Sequence, residues 1–430
     1  VTEMLKAAKK PVIVAGGGVH YAGATEALRA FAETHRIPVV ESQAGKSALA
    51  WDHPLNLGPV GVTGSSSANV TCAEADLVLG VGTRFQDFTT GSWTGFGREG
   101  RKLVSINLHP YDASKHLATP LVSDAKVALE KLTAALGDLR FDAHDPSSRE
   151  DWIAEVGRVT AAPEPDTNAL PTDAQVIGAV QRVATDETVA MCAAGTMPGA
   201  LQVLWQAAQG GYHLEYGYSC MGYEIAGAMG IKMADPARDV ICFTGDGTYM
   251  MANSELATAA ARKVPFTVVL TDNSGYGCIN RLQMGCGGAE FNNLLDHTIH
   301  ETPSAIDFAK HAEAMGATAV KVGSIAELEA ALARRHDARG PYVVVIDTDP
   351  YPSTEHGGAW WDVGVPEVSE RAEVKTARAN YEAKKKRIKA LLCFGRDSSF
   401  PRPEEMGKAK KAQDDHPPGG SLYLASKTRM

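Results

Sequence analysis

Along the first 140 residues, short apolar runs alternate with longer stretches whose apolar positions recur every three to four residues. Pro11–Ala15, Ile37–Val40, Leu77–Val81 and Leu103–Asn107 read as buried strands. Thr2–Lys10, Ala24–His35 and Ala68–Glu74 carry helical patterns before and between them. Strands alternating with helices predict a parallel sheet covered on both faces. The loops that follow such strands are where these sheets carry their sites.

Residues 141–172 change character. They are polar and proline-rich, and read as a linker around a short helix containing Trp152. A second α/β pattern starts at Asp173. Its helices fall over 173–184, 221–233, Asn253–Arg262 and 304–315. Its strands are Thr188–Cys192, Val240–Thr244, Phe266–Thr271 and Tyr342–Asp347. The predicted fold class is therefore α/β, with two doubly wound, Rossmann-like parallel-sheet domains over 1–140 and 173–360. Residues 361–430 hold an Ala/Lys/Glu-rich helix over 371–391. From 394 the text mixes Pro, Gly, Ser and charge without period, which reads as disorder.

Composition narrows the partners. The net charge of -9 argues against nucleic acid and anionic membranes. No apolar run is long enough to span a bilayer. The seven cysteines are scattered, without a CxxC pair, which fits a reducing, cytoplasmic setting. The chain opens at Val1 inside a helix-like stretch, and a processed or longer natural protein is expected.

The sharpest chemical signal is Gly245-Asp246-Gly247 at the end of a strand. After 25 residues (248–272) comes Asn273, in Asp272-Asn273-Ser274-Gly275-Tyr276 at the end of the next. Two neighbouring strand ends would bring a carboxylate and an amide oxygen together. Such oxygens, with phosphate oxygens, suit Mg²⁺. Gly247 allows close backbone approach to a phosphate. Thr248 opens a helix whose amides favour an anion. A lone Gly-Asp-Gly equally marks a plain turn. Met221, in Tyr218-Ser219-Cys220-Met221-Gly222-Tyr223-Glu224, is by itself more readily a core methionine, and only Asp246 downstream favours another role. Gly195 and Thr196 follow a strand and could cradle a diphosphate. Gly16-Gly17-Gly18 invites a dinucleotide reading, but the last glycine of G-x-G-x-x-G falls on Tyr21.

Taken together, these stretches resemble the thiamine-diphosphate (ThDP) enzymes of the acetolactate-synthase and pyruvate-oxidase type. The resemblance implies Asp246, Asn273 and the Gly275 carbonyl as Mg²⁺ ligands. It implies Met221 as the apolar wedge that bends ThDP, and the Ser219 carbonyl as partner of the aminopyrimidine amine. Gly195, Thr196, Gly245, Gly247 and Thr248 would line the diphosphate. The glycine triplet would belong to a central domain that often binds no nucleotide.

Further stretches, Ser42–Ser47, Trp51–Gly58, Gly82–Trp93, Gly277–Gln283 and Phe291–Leu294, are similar to one group of these enzymes. Its members open the ring of a cyclic polyol 1,2-dione to 5-deoxyglucuronate in myo-inositol catabolism. The likeness runs over about residues 1–387. It suggests Asn280 and Arg281 as partners of the ring hydroxyls, although a helix surface is an equal reading. Decarboxylases of the superfamily carry a glutamate where Ile279 stands. The family's pyrimidine-binding domain, which supplies the activating glutamate, is expected in cis or from a partner chain of a homo-oligomer. Glu41 matches central-domain surroundings and reads as structural or as part of a substrate loop.

Overall fold

The computed structural model describes residues 1–142, 144–163, 169–302, 306–354 and 362–394. The β-branched runs form two six-stranded sheets, parallel throughout. The first contains β1 (Pro11–Ala15), β2 (Val39–Glu41), β3 (Asn56–Pro59), β4 (Leu77–Val81), β5 (Lys102–Asn107) and β6 (Thr119–Val122), in the order β3-β2-β1-β4-β5-β6. The second contains β7 (Thr188–Cys192), β8 (Tyr212–Leu214), β9 (Asp239–Gly245), β10 (Thr267–Asp272), β11 (Thr318–Val322) and β12 (Tyr342–Asp347), in the order β11-β12-β10-β9-β7-β8. Central strands such as β1, β4 and β7 are buried at every position. Helices cover both faces of each sheet, producing two apolar layers per domain.

Both domains have a point where strand order reverses, between β1 and β4 and between β7 and β9. In open α/β sheets these points form the ligand crevice. In the first domain the crevice is closed by backbone. The Gly18 amide donates to the Gly82 carbonyl at 3.0 Å, and the Gly16 amide to that of Val81 at 2.9 Å. A side chain at Gly16 or Gly18 would run into Gly82. The glycine triplet thus serves a backbone-to-backbone contact, which removes the basis for a dinucleotide reading at these residues.

The segment expected as a linker is a structural part of the body. Its helix spans Ser147–Val159 and buries Trp152 and Val156. The Trp152 ring lies over Gly58 of the first domain, and its Nε1 donates to the Val203 carbonyl of the second at 3.3 Å. Arg149 donates to the carbonyls of Asn56 and Trp51. Direct bonds also join the domains: Gln43 Nε2 to the Pro198 carbonyl at 2.6 Å, and the amides of Trp51 and Gly210 to the carbonyls of Ala207 and Ser47, both at 3.0 Å.

Helix boundaries fall close to the sequence expectation, at Asp173–Val183, Tyr223–Ala234, Glu255–Arg262 and Ala372–Phe394. The helix expected over 304–315 spans Phe308–Ala314, and residues 303–305 lie outside the described residues, as does the expected disordered tail from 395. Among the described residues no helix is long and apolar enough to cross a membrane.

Glu41 ends β2, is buried, and does not reach the crevice of the second domain. Burial pushes its carboxyl up to about 7, against the attraction of Lys46. Burial likewise pushes the Lys46 ammonium down to about 8, against the attraction of Glu41. Lys46 also sits 5.9 Å from the centre of the Tyr212 ring in the other domain. Each shift has a signed consequence. The folded state holds a Glu41 proton that the unfolded chain has released above roughly pH 4.3, so stability falls from there to about pH 7. The folded state has released a Lys46 proton that the unfolded chain keeps to roughly pH 10.4, so stability recovers from about pH 8 upward. The difference in urea midpoint between the parent and Glu41→Gln/Lys46→Met should follow both limbs across this range; parallel curves would contradict the assignment.

Candidate functional site

At the second reversal point the crevice is open. A cleft of about 240 Å³ lies where β7, β9 and β10 end. The register pairs β9 with both β7 and β10, so their C-terminal loops share one edge. All ten residues expected to contact the cofactor line this cleft, together with Asp173, Tyr276, Cys278 and Ile279.

Asp246 begins the helix Asp246–Met251, directly after β9, and is buried. Its Oδ2 accepts the Gly275 amide at 2.7 Å. Its Oδ1 has no hydrogen-bond partner although it is buried, and the same holds for Asn273 Oδ1. Burial, and then the nearby Asp272, push the Asp246 carboxyl up to about 7. An unpaired buried oxygen costs free energy, and a buried carboxylate costs more. Here two such oxygens face one cleft. A hard divalent cation, completed by a backbone carbonyl and by oxygens of a bound diphosphate, would satisfy both. Among the described residues no cluster of three or more His, Cys, Asp or Glu side chains could hold a metal. A cation here would therefore depend on this mixed oxygen set.

The glycines shape the wall. Gly195 has φ +85 with open space where a side chain would begin. Gly247 is needed for a different neighbour: a side chain there would meet the Tyr276 ring at 2.6 Å. Gly275 has φ +143 and packs against Asn293 and Leu294. Ser219 holds a left-handed backbone at φ 52 without being glycine. Met221 is half-buried on the cleft wall rather than in the core.

The two tentative substrate residues part company. Asn280 is fully buried, donates to Glu290 Oε1 at 2.8 Å, and lines neither this cleft nor its neighbour. The helix turn that points residue 281 toward the neighbouring interdomain cavity turns residue 280 inward. Arg281 is half-buried, and its Nη2 donates to Thr196 Oγ1 at 2.6 Å and its Nη1 to the Pro350 carbonyl. It lines a second, larger cavity of about 980 Å³ between the domains, which shares Ala194–Thr196, Ser219 and Cys278 with the cleft. From the first domain this cavity takes Gln43, Gln86, Asp87, Lys115 and His116; from the second it takes Tyr216.

Sequence reasoning passed over Asp173, and considered Glu224 only, with Glu41, as a fallback for the activating acid. Asp173 lines the cleft with an unpartnered, buried Oδ1. Burial pushes its carboxyl up to about 6, against the attraction of Arg281. Glu224 is buried behind the cleft, with both oxygens bonded to backbone amides. It lay within the stretch quoted around Met221, but nothing in the spacing distinguished it.

The family model for the thiamine pyrophosphate enzyme central domain matches residues 1–132, and that for the C-terminal TPP binding domain matches residues 193–346. The chain is built from the central and C-terminal domains of the thiamine pyrophosphate enzymes. Among curated relatives, it is similar to 3D-(3,5/4)-trihydroxycyclohexane-1,2-dione hydrolases. It is 40% identical over 417 residues to one from Bacillus cereus, covering 89% of this chain and 64% of the relative. It is 40% identical over 416 residues to that of Halalkalibacterium halodurans (90% and 64%), and 41% over 417 residues to that of Bacillus thuringiensis (89% and 64%). The chain thus spans just under two thirds of the length of these relatives. In thiamine pyrophosphate enzyme terms, the open crevice lies in the TPP binding domain and the closed one in the central domain.

The unpaired oxygens predict an asymmetry. Asp246→Asn keeps the acceptor for Gly275 but removes a buried charge. Metal-free stability should stay unchanged or rise by about 1 kcal/mol. ThDP binding that depends on Mg²⁺ should be lost. Urea unfolding and calorimetric titration measure the two effects; parent-like ThDP affinity in the variant would remove Asp246 from the metal site.

Proposed function

We propose that this chain is the cofactor-binding part of a ThDP- and Mg²⁺-dependent enzyme. It hydrolyses a ring carbon–carbon bond of 3D-trihydroxycyclohexane-1,2-dione, yielding 5-deoxyglucuronate in myo-inositol catabolism. The observation that carries the cofactor reading is the pair of buried, unpartnered oxygens of Asp246 and Asn273 in one cleft. Asp246, Asn273 and the Gly275 carbonyl hold Mg²⁺. Gly195, Thr196, Gly245, Gly247 and Thr248 surround the diphosphate. Met221 props the cofactor, and the Ser219 carbonyl meets its aminopyrimidine amine. When bound, ThDP supplies an electron sink for breaking a bond next to a carbonyl.

The substrate reading rests on the relatives' names and on the charge state of the neighbouring cavity. An acetolactate-synthase-like enzyme acts on 2-oxo acids, and a carboxylate calls for a free cation. Each cation lining the cavity has partners within the chain, although a carboxylate is among them only for Lys115. Lys115 Nζ donates to the Arg84 carbonyl at 2.9 Å and has Asp112 at 3.7 Å. Arg281 is held by Thr196 and Pro350. His116 bonds the Phe85 carbonyl through Nε2 at 3.0 Å, and burial lowers its pKa, which keeps it neutral. The Gln43 Oε1, the Gln86 amide and the Tyr216 hydroxyl add neutral polar groups beside them, a lining suited to a neutral polyol.

The acid that activates the aminopyrimidine comes from a pyrimidine-binding domain, in cis or from a partner chain of a cytoplasmic homo-oligomer. Glu41 lies in the other domain, and both Glu224 oxygens are occupied, so neither serves. Tyr218 (92% exposed), Met251 (53%) and Ile279 (51%) give the cleft region an apolar surface for that domain to cover.

The test assays the chain, alone and fused to a pyrimidine-binding domain, with ThDP and Mg²⁺. The fusion should open the cyclic dione, lose activity on chelation, and form no acetolactate from pyruvate. Acetolactate formation at a comparable rate would favour the synthase reading. Full activity from the chain alone would overturn the external acid.

A further inference from the structure

Glu224 is a carboxylate buried without a cation. It is 1% exposed, and among the described residues it pairs with no Lys, Arg or His. Burying such a charge is costly unless the surroundings donate hydrogen bonds to it. Burial raises its pKa, and backbone amides act against that rise; two donate to it from elsewhere in the cleft walls, one per oxygen. The Ala194 amide donates to Oε1 at 3.1 Å, and the Gly222 amide to Oε2 at 2.9 Å. The helix Tyr223–Ala234, in whose first turn Glu224 lies, adds its dipole.

The two donors come from separate parts of the chain that form separate walls of the cleft. Ala194 belongs to the loop after β7, which continues into Gly195 and Thr196. Gly222, at φ +96, closes the turn that presents Ser219 and Met221. Glu224 itself is not on the cleft surface. An ionised carboxylate is acceptor-only at both oxygens, which is what two facing N–H donors require. An amide of the same shape would turn an NH₂ group toward one of them.

We propose that Glu224 is a positioning residue: its carboxylate spans the β7 loop and the Met221 turn and fixes the spacing of the two cleft walls that hold ThDP. This rests on the cofactor reading above, and the experiment separates the two. ThDP is titrated with Mg²⁺ into the 430-residue chain and into Glu224→Gln, and amide hydrogen exchange is followed at Ala194 and Gly222. The variant should bind ThDP about ten- to a hundredfold more weakly. Both amides should exchange faster, while the β9 strand Asp239–Gly245 keeps its protection. A folded Glu224→Gln whose ThDP affinity lies within about twofold of the parent would overturn the proposal. Should Glu224→Gln fail to fold, Glu224→Asp decides. It keeps the charge but is one methylene too short to reach both amides, so affinity should still fall about tenfold, and parent-like affinity overturns the proposal. If the parent itself binds no ThDP, the cofactor reading fails. The exchange data then judge Glu224 alone: joint opening of both segments supports the clamp, and unchanged exchange overturns it.

Discussion

The functional geometry of this chain follows from one constraint. When the strand order of a parallel sheet reverses, the loops on either side of the reversal leave in opposite directions and a crevice opens between them. The chain contains two such crevices and resolves them differently. At β1/β4, glycines on both sides let backbone meet backbone, and the amides of Gly16 and Gly18 are spent on Val81 and Gly82. At β7/β9, an aspartate and, one strand further, an asparagine hold the space open with oxygens that nothing in the chain satisfies. One crevice is filled by backbone; the other stays open, with unpartnered oxygens on its wall.

That difference governs where polar cost is tolerated. Most buried polar groups find partners, because an unpaired one costs about as much as a typical mutation removes. Exceptions occur in both domains, Glu41, Gln43 and Asn280 among them, and three of them share one place. Asp173, Asp246 and Asn273 all line the same cleft with a buried, unpartnered oxygen. Glu224, immediately behind it, is as buried but has each oxygen satisfied. These three oxygens face the cleft, whereas the carboxylate immediately behind it is bonded to backbone on both sides.

Much of this was legible in the sequence, and the failures have a common cause. The eight strands read from the sequence include every central strand of both sheets, where burial on two faces leaves a continuous apolar run. The four strands not anticipated, β3, β6, β8 and β11, are the four sheet edges. Edge strands are short and polar because an exposed, apolar edge invites aggregation. β3 reads Asn-Leu-Gly-Pro and β6 begins Thr-Pro, patterns that resemble turns and that edges alone tolerate. The helix around Trp152 was anticipated, but its role was not. A single tryptophan in a polar segment carries no sign of which two surfaces it will join.

Site residues divide along a similar line. Those fixed by backbone position at a strand end, such as Asp246 and Asn273, could be placed from spacing alone, because a parallel strand delivers its last residue to a known edge. Those fixed by rotation about a helix could not. Asn280 and Arg281 are adjacent in sequence, about 100° apart around a helix, and one faces Glu290 in the interior while the other faces Thr196 and the interdomain cavity. Which of the two meets a ligand depends on the azimuth of the helix over the sheet. That azimuth is set by the packing of distant segments, among them the Pro350 carbonyl that anchors Arg281. Spacing along the chain thus locates the chemistry that strands deliver, whereas the specificity that helices contribute emerges only from tertiary packing.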